Sequence, residues 1–157
     1  MGQIIKRENI KEFVSKLRMS GKTVVVTNGC FDILHVGHVR YLQKSKSFGD
    51  YLIVMLNSDK SVKLIKGEDR PINNENNRAE VLCALSCVDF VVFFDENSPG
   101  SLIDEIKPDV YTKGADYTIE TLPERDIIEK NGIKTEFIEF VQGQSTTNII
   151  NKIGNKE

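Results

Sequence analysis

The length of 157 residues predicts a single domain over residues 1–157, large enough to bury a core without metal or disulfide crosslinks. Hydrophobic residues at 39% and charged residues at 28% are typical of a globular protein, and we find neither a membrane-spanning apolar run nor a secretory signal. The net charge of −2 argues against broad nucleic-acid binding. Three scattered cysteines favour a reducing compartment, so we expect a cytoplasmic protein with no membrane partner.

The first predicted element is an amphipathic helix within residues 1–21. Its apolar residues have helical spacing: Ile10, Phe13, Val14 and Leu17. A β-branched run over residues 23–27 then predicts a buried strand, and residues 39–48 predict a helix that Gly49 ends. The polar, lysine-rich stretch of residues 58–77 predicts a long loop.

Strands and helices alternate along the rest of the chain. The five predicted strands cover residues 23–27, 51–57, 90–94, 109–112 and 134–141. Capping patterns predict helix starts at Ser98 with Pro99 and at Thr121 with Glu124. The alternation predicts an α/β fold, a single-domain Rossmann-like three-layer sandwich with a central, mainly parallel five-stranded sheet. We expect the core of the domain to cover residues 22–153 and a tail to follow at 154–157.

The only two histidines, His35 and His38, lie where the first strand gives way to a helix, and Gly37 directly precedes the second. The first turn of a helix leaves backbone N–H groups unpaired and carries a positive partial charge, which suits phosphate. Histidine can donate a hydrogen bond to a phosphoryl oxygen as a neutral or a charged ring. A zinc site with Cys30 is the alternative, but the ligand spacing is unusual and no fourth ligand is evident, so we expect no such metal.

Three further segments are candidates for anion binding, although each also has an ordinary structural explanation. Hydroxyl groups gather at a second helix start, where Ser145, Thr146 and Thr147 follow Gly143; such groups commonly serve only as caps. The lysines of the polar loop could neutralise a triphosphate or simply face solvent. Arg78, in the first turn of a predicted helix, is as consistent with a bound anion as with a surface position.

Residues 27–38, TNGCFDILHVGH, resemble the HxGH motif of a nucleotidyltransferase superfamily that transfers a nucleoside monophosphate to a phosphorylated acceptor. From residue 22 to 153 the chain is most similar to the heptose-1-phosphate adenylyltransferases. Those enzymes have close counterparts of the loop lysines, of the Lys-Gly-x-Asp turn that follows the fourth predicted strand at residues 113–116, and of the Ser-Thr-Thr turn at residues 145–147. The glycerol-3-phosphate cytidylyltransferases are the alternative. They typically place a lysine directly after the Ser-Thr-Thr turn, where this chain has Asn148.

The resemblance implies transfer of AMP from ATP to a sugar 1-phosphate, with D-glycero-D-manno-heptose 1-phosphate as the expected acceptor and Mg²⁺ accompanying ATP. It implies catalytic roles for four residues: His35, His38, Lys63 and Lys66. It implies nucleotide binding by Thr27, Asn28, Gly29, Phe31, Asp32, Gly37, Arg78, Lys113, Gly114, Asp116, Ser145, Thr146 and Thr147.

Residues 122–134 diverge from those enzymes, which leaves the exact sugar open. The superfamily is often dimeric, which leaves a homodimer open, and a nucleotide-binding regulatory module without turnover is the non-enzyme alternative.

Overall fold

The apolar runs of the sequence pair side by side in one parallel sheet. In the computed structural model, which describes residues 1–155, the strands are β1 (Gln3–Ile4), β2 (Val24–Gly29), β3 (Tyr51–Asn57), β4 (Phe90–Phe94), β5 (Val110–Gly114) and β6 (Lys134–Ile138). Their order across the sheet is β1-β4-β3-β2-β5-β6, and all pairs are parallel. The central strands β2 and β3 are nearly continuous apolar runs because helices cover both faces of the sheet.

The helices are α1 (Arg7–Met19), α2 (Val36–Lys46), α3 (Asp59–Lys66), α4 (Glu75–Cys83), α5 (Gly100–Ile106), α6 (Arg125–Lys130) and α7 (Thr146–Gly154). Successive residues of β2 alternate between two hydrophobic clusters. Val24 and Val26 pack in the cluster that includes α1 and α5, whereas Val25 packs in the cluster that includes α2 and α4. The predicted α/β class is confirmed, and none of the helices within residues 1–155 is both long and apolar enough to span a bilayer.

The prediction of five strands is wrong, because Gln3 and Ile4 add a sixth strand at the edge of the sheet beside β4. The strand is held by backbone hydrogen bonds from Gln3 N to the Asp89 carbonyl at 2.9 Å and from Ile5 N to the Val91 carbonyl at 2.8 Å. Two residues are too few to show the period-two alternation that identifies a strand.

The prediction of a loop over residues 58–77 is also wrong, because α3 occupies Asp59–Lys66 and α4 begins at Glu75. Side chains cap both helices: Ser58 Oγ accepts from Ser61 N at 3.2 Å, and Asn74 Oδ1 accepts from Asn77 N at 3.0 Å. The polar composition concealed α3 because this helix is largely solvent-exposed, with only Ser61 and Val62 buried.

Several predicted boundaries differ by a few residues. Helix α2 begins at Val36 rather than at residue 39, and β6 ends at Ile138 rather than at 141. The predicted capping box does not form, because Thr121 Oγ1 accepts from Thr118 N at 2.8 Å and α6 begins only at Arg125. Of the predicted tail, Gly154 belongs to α7 and residues 156–157 lie outside the described residues.

Candidate active site

Two helices begin at the carboxyl edge of the sheet and direct their N-termini into one cleft. Helix α2 follows β2, and α7 follows β6 with Ser145 as its N-cap. Thr146 Oγ1 donates a hydrogen bond of 3.0 Å to the Ile33 carbonyl, which joins the start of α7 to the loop before α2. Both helix starts carry unpaired N–H groups and positive partial charge, so the cleft between them is suited to an anion.

The cleft has a volume of about 320 Å³, the size of a small-molecule site. It opens at the carboxyl ends of β2 and β5, where the strand order reverses and ligands of open α/β sheets usually bind. Most of the predicted site residues line it: Asn28, Gly29, Phe31, His35, Gly37, His38, Lys66, Lys113, Gly114, Asp116, Ser145, Thr146 and Thr147.

The imidazole rings of His35 and His38 are stacked, with their centroids 3.9 Å apart and their planes inclined by 24°. Nδ1 of each ring is buried and has no hydrogen-bond partner within residues 1–155. Burial lowers the pKa of His35, and burial together with the neighbouring His35 lowers the pKa of His38 to about 4. Both rings are therefore neutral near pH 7, with unused hydrogen-bonding capacity at the cleft.

Gly37 has a steric reason to lie between the histidines. A Cβ atom there would lie 2.8 Å from His35 Cε1 and 2.9 Å from His35 Nδ1, so only glycine allows this position of the ring. The preceding loop is strained as well, because Phe31 has a positive φ of 44°. The Phe31 ring lies against His38, 5.2 Å between centroids. The backbone of the motif thus holds the two imidazoles in place.

A fixed cation lies on the floor of the cleft. Lys113 Nζ donates to Asn28 Oδ1 at 3.3 Å, and Tyr111 Oη donates to the same oxygen at 2.7 Å. The ammonium group also lies 4.9 Å from the centroid of the Tyr117 ring. Burial lowers the pKa of Lys113, and the nearby carboxylates of Glu124 and Asp116 offset this shift only in part. Lys66, at the end of α3, adds a second cation to the cleft wall.

Four of the predicted site residues lie outside the cleft: Thr27, Asp32, Lys63 and Arg78. Thr27 is buried, and its hydroxyl shares a hydrogen bond of 2.8 Å with the Tyr41 hydroxyl. Lys63 lines a separate cavity, where its ammonium group lies 3.8 Å from a carboxylate oxygen of Glu68. The nucleotide binding predicted for Thr27 and the catalytic role predicted for Lys63 stay predictions.

Asp32 anchors the segment between α3 and α4 to the histidine motif. Its carboxylate accepts hydrogen bonds from Arg70 Nε at 2.9 Å and from the backbone N atoms of Ile72 and Asn73, each at 2.8 Å. Burial alone would raise the pKa of Asp32, but the two backbone hydrogen bonds and Arg70 outweigh it, so the pKa is lowered. Asp32 is therefore a stable anion that organises the loop rather than a lining residue of the cleft.

Arg78 is 2% exposed and also lies outside the cleft. Its guanidinium donates to three carbonyl oxygens, those of Cys30 at 2.7 Å, Asn57 at 2.8 Å and Asn73 at 2.9 Å, and to the carboxylate of Asp59 at 2.8 Å. These contacts join the motif loop, the end of β3 and the start of α4. Its direct binding of the nucleotide stays a prediction.

Six lining residues were not among the predicted site residues: Cys30, Tyr41, Tyr117, Phe140, Val141 and Gln144. Each lies close to a motif that was identified. Tyr41 is three residues after His38 on α2, Tyr117 directly follows Asp116, and Phe140 precedes the Ser-Thr-Thr turn. Adjacency to these motifs is the signal that could have identified these residues.

Within residues 1–155, no group of three or more His, Cys, Asp or Glu side chains is arranged to hold a metal ion.

Comparison with known proteins is consistent with this geometry. The sequence pattern of the family described as cytidylyltransferase-like matches residues 26–152. Bifunctional protein HldE of Syntrophotalea carbinolica is 52% identical over 147 residues, which cover 94% of this chain and 30% of that protein. Bifunctional protein HldE of Geobacter metallireducens is 56% identical over 133 residues, which cover 85% of this chain and 27% of that protein. The chain thus spans about three-tenths of the length of these relatives.

Solved structures agree with the family assignment. The lipopolysaccharide core biosynthesis protein of Thermoplasma volcanium has a TM-score of 0.63 and 33% identity, and the match covers 79% of this chain and all of that one. Pantothenate synthetase of Thermus thermophilus also has a TM-score of 0.63, over 94% of this chain and 67% of that one, but at 14% identity it shows the fold alone. The predicted resemblance is confirmed, and the chain belongs to the cytidylyltransferase-like family of nucleotidyltransferases.

Proposed function

We propose that the protein is an adenylyltransferase that transfers AMP from ATP to a sugar 1-phosphate, with D-glycero-D-manno-heptose 1-phosphate as the acceptor. The observation that carries this proposal is the stacked pair of neutral imidazoles between two helix N-termini, with Lys66 and Lys113 on the walls of the same cleft. The similarity to the HldE proteins over most of the chain supports the choice of a heptose phosphate.

The proposed reaction is an in-line displacement at the α-phosphorus of ATP. An oxygen of the acceptor phosphate forms the new bond, and the bond from the α-phosphorus to the bridging oxygen breaks. Pyrophosphate leaves with that electron pair, and ADP-heptose is the other product. Because the acceptor oxygen is already an anion near neutral pH, the reaction needs no general base. The main obstacle is repulsion between two polyanions, so catalysis consists of positioning and charge stabilisation.

The residues of the cleft suit that task. The imidazoles of His35 and His38 donate hydrogen bonds to the α-phosphoryl oxygens. These hydrogen bonds strengthen in the transition state, where negative charge develops on those oxygens. Lys66 and Lys113 compensate the negative charge of the reacting groups. The exposed Thr147 hydroxyl and the first N–H groups of α7 hold the leaving pyrophosphate, whereas the Thr146 hydroxyl is already bonded to Ile33.

The cleft fits a magnesium ion that arrives with the triphosphate. Mg²⁺ is usually held by one or two carboxylates together with phosphate oxygens and water. Asp116 carries the only carboxylate among the described residues that line the cleft, so it is the protein group that would contact the ion. When bound, Mg²⁺ neutralises charge on the phosphates of ATP.

Pyrophosphate release tests the proposal. ATP, CTP, GTP and UTP are each combined with Mg²⁺ and with heptose 1-phosphate, with glycerol 3-phosphate or with no acceptor. We expect turnover with ATP and heptose 1-phosphate and none without an acceptor. Turnover only with CTP and glycerol 3-phosphate would contradict the choice of substrates. ATP binding without pyrophosphate release with any acceptor would favour a regulatory module.

A further inference from the structure

Phe140 is a large aromatic residue that stays 61% exposed while lining the cleft. It lies between the end of β6 and the start of α7, five residues before the N-cap Ser145. Its ring is nearly parallel to that of Tyr41, with 6.5 Å between the centroids and 20° between the planes. An aromatic face beside a phosphate-binding turn is thus open to a ligand.

Gly114 makes the position of this ring possible. A Cβ atom on Gly114 would lie 2.2 Å from Phe140 Cζ and 2.6 Å from Phe140 Cε2. The edge of the ring therefore rests on the bare backbone of β5, and any larger residue there would displace it. This contact fixes Phe140 against the sheet and leaves the remainder of the ring facing the cleft.

The lining of the cleft combines two kinds of surface. The imidazoles and the helix N-termini suit phosphate, whereas Phe140, Tyr117 and Val141 present aromatic and apolar surface. A nucleoside triphosphate has two matching parts, with a polyanion at one end and a flat π-system at the other. We propose that Phe140 binds the nucleobase of the triphosphate by stacking on it, and that Gly114 leaves the space that the Phe140 ring occupies.

This inference rests on the proposed function only in requiring that the cleft binds a nucleoside triphosphate. Stacking of a base on an aromatic side chain contributes about 1–3 kcal/mol, which corresponds to roughly 5- to 150-fold in affinity. Phe140→Ala should therefore weaken the binding of Mg²⁺–ATP by about that factor and leave the binding of inorganic tripolyphosphate, which has no base, unchanged. Gly114→Ala should weaken ATP binding in the same direction, because its Cβ atom would meet the Phe140 ring and, at 2.7 Å, Asp116 Oδ1.

Fluorescence gives a direct readout, because the chain contains no tryptophan. Phe140→Trp places a single indole at the site and retains an aromatic face. We expect ATP to quench its emission and tripolyphosphate to leave it unchanged. Met19→Ala, which removes another exposed apolar side chain at the far end of α1, is the matched control and should bind both ligands like the unmodified protein.

Two results would overturn the inference: equal loss of ATP and tripolyphosphate binding in Phe140→Ala, or equal quenching of Phe140→Trp by both ligands. A different pattern is expected if Phe140 stacks on the base but the protein is not the proposed transferase. ATP would then quench the tryptophan selectively, while no acceptor would yield pyrophosphate.

Discussion

The rings of His35 and His38 lie face to face at 3.9 Å, so a proton on either one raises the electrostatic cost of a proton on the other. Burial acts in the same direction and brings the pKa of His38 to about 4. The free cleft therefore presents two neutral donors between positive helix ends, and an arriving phosphate supplies the negative charge that the site lacks.

The first prediction concerns stability against pH. The pKa of His38 is about 4 in the folded protein and 6.5 in an unfolded chain, so the unfolded chain binds the extra proton between these values. The free energy of unfolding should therefore fall as the pH drops from 6.5 towards 4. At pH 5 the loss from this group is about 2 kcal/mol. Urea denaturation at pH 7 and pH 5 measures it.

His38→Asn is the control for this titration, because its amide has no charge to gain. The stability difference between pH 7 and pH 5 should be smaller in the variant by about the same 2 kcal/mol. An identical pH dependence in both proteins would show that the pKa of His38 is not lowered.

The second prediction separates the two lysines of α3. Lys66 lines the cleft, whereas Lys63 lies beside Glu68 at another cavity. Lys66→Ala should lower kcat/KM for ATP about a hundredfold, the typical effect of removing one transition-state donor. Lys63→Ala should change it by less than about threefold, because solvent screens a charge outside the cleft. Equal losses in both variants would contradict this assignment.

The third prediction compares two threonines at the start of α7. The Thr146 hydroxyl donates to the Ile33 carbonyl, whereas the Thr147 hydroxyl is exposed to the cleft. Thr146→Val should lower the free energy of unfolding by about 1 kcal/mol through loss of that hydrogen bond. Thr147→Val should leave stability unchanged and raise the KM for ATP about tenfold, the effect expected for one hydrogen bond to a charged phosphate.

Calorimetry and steady-state kinetics on the same two variants check the threonine assignment. The reverse pattern, with Thr147→Val unstable and Thr146→Val defective only in ATP binding, would show that the two hydroxyls have exchanged roles.

The fourth prediction treats Arg78 as a positioning residue. Lysine cannot reproduce its hydrogen bonds to three carbonyl oxygens and one carboxylate, so Arg78→Lys should cost about 3 kcal/mol of unfolding free energy. Arg125→Lys is the matched control. Arg125 pairs with Glu129 at the surface, where the loss of unfolding free energy should be much smaller. Weaker ATP binding in Arg78→Lys with unchanged stability would instead indicate direct contact with the nucleotide.

The sequence was sufficient to predict the elements whose signal is local. The strand followed by the His-x-Gly-His turn, and the glycine followed by three hydroxyl residues, predicted two helix starts, and both begin at the same cleft. The edge strand Gln3–Ile4 was missed because it forms only by pairing with β4, where the partner of Gln3 is Phe90, 87 residues further along the chain. Helix α3 was missed because its composition is that of a loop.

The contacts of the site depended on tertiary structure. The position of Arg78 in the sequence indicated an anion, but its guanidinium meets carbonyl groups from residues 21 and 48 positions away, which no local pattern shows. The Phe140 ring likewise acquires its place only because β5 brings Gly114 beneath it. Motifs therefore predicted which segments form the site, and packing decided which side chains face the ligand.

The central claim is transfer of an adenylyl group, and phosphorus NMR of the reaction of ATP with heptose 1-phosphate tests it most directly. The predicted result is ADP-heptose and pyrophosphate in equal amounts, with both forming much more slowly in the His38→Asn variant. ADP together with a bisphosphorylated sugar, or ADP with inorganic phosphate, would place the attack at the γ-phosphorus and contradict the proposed mechanism.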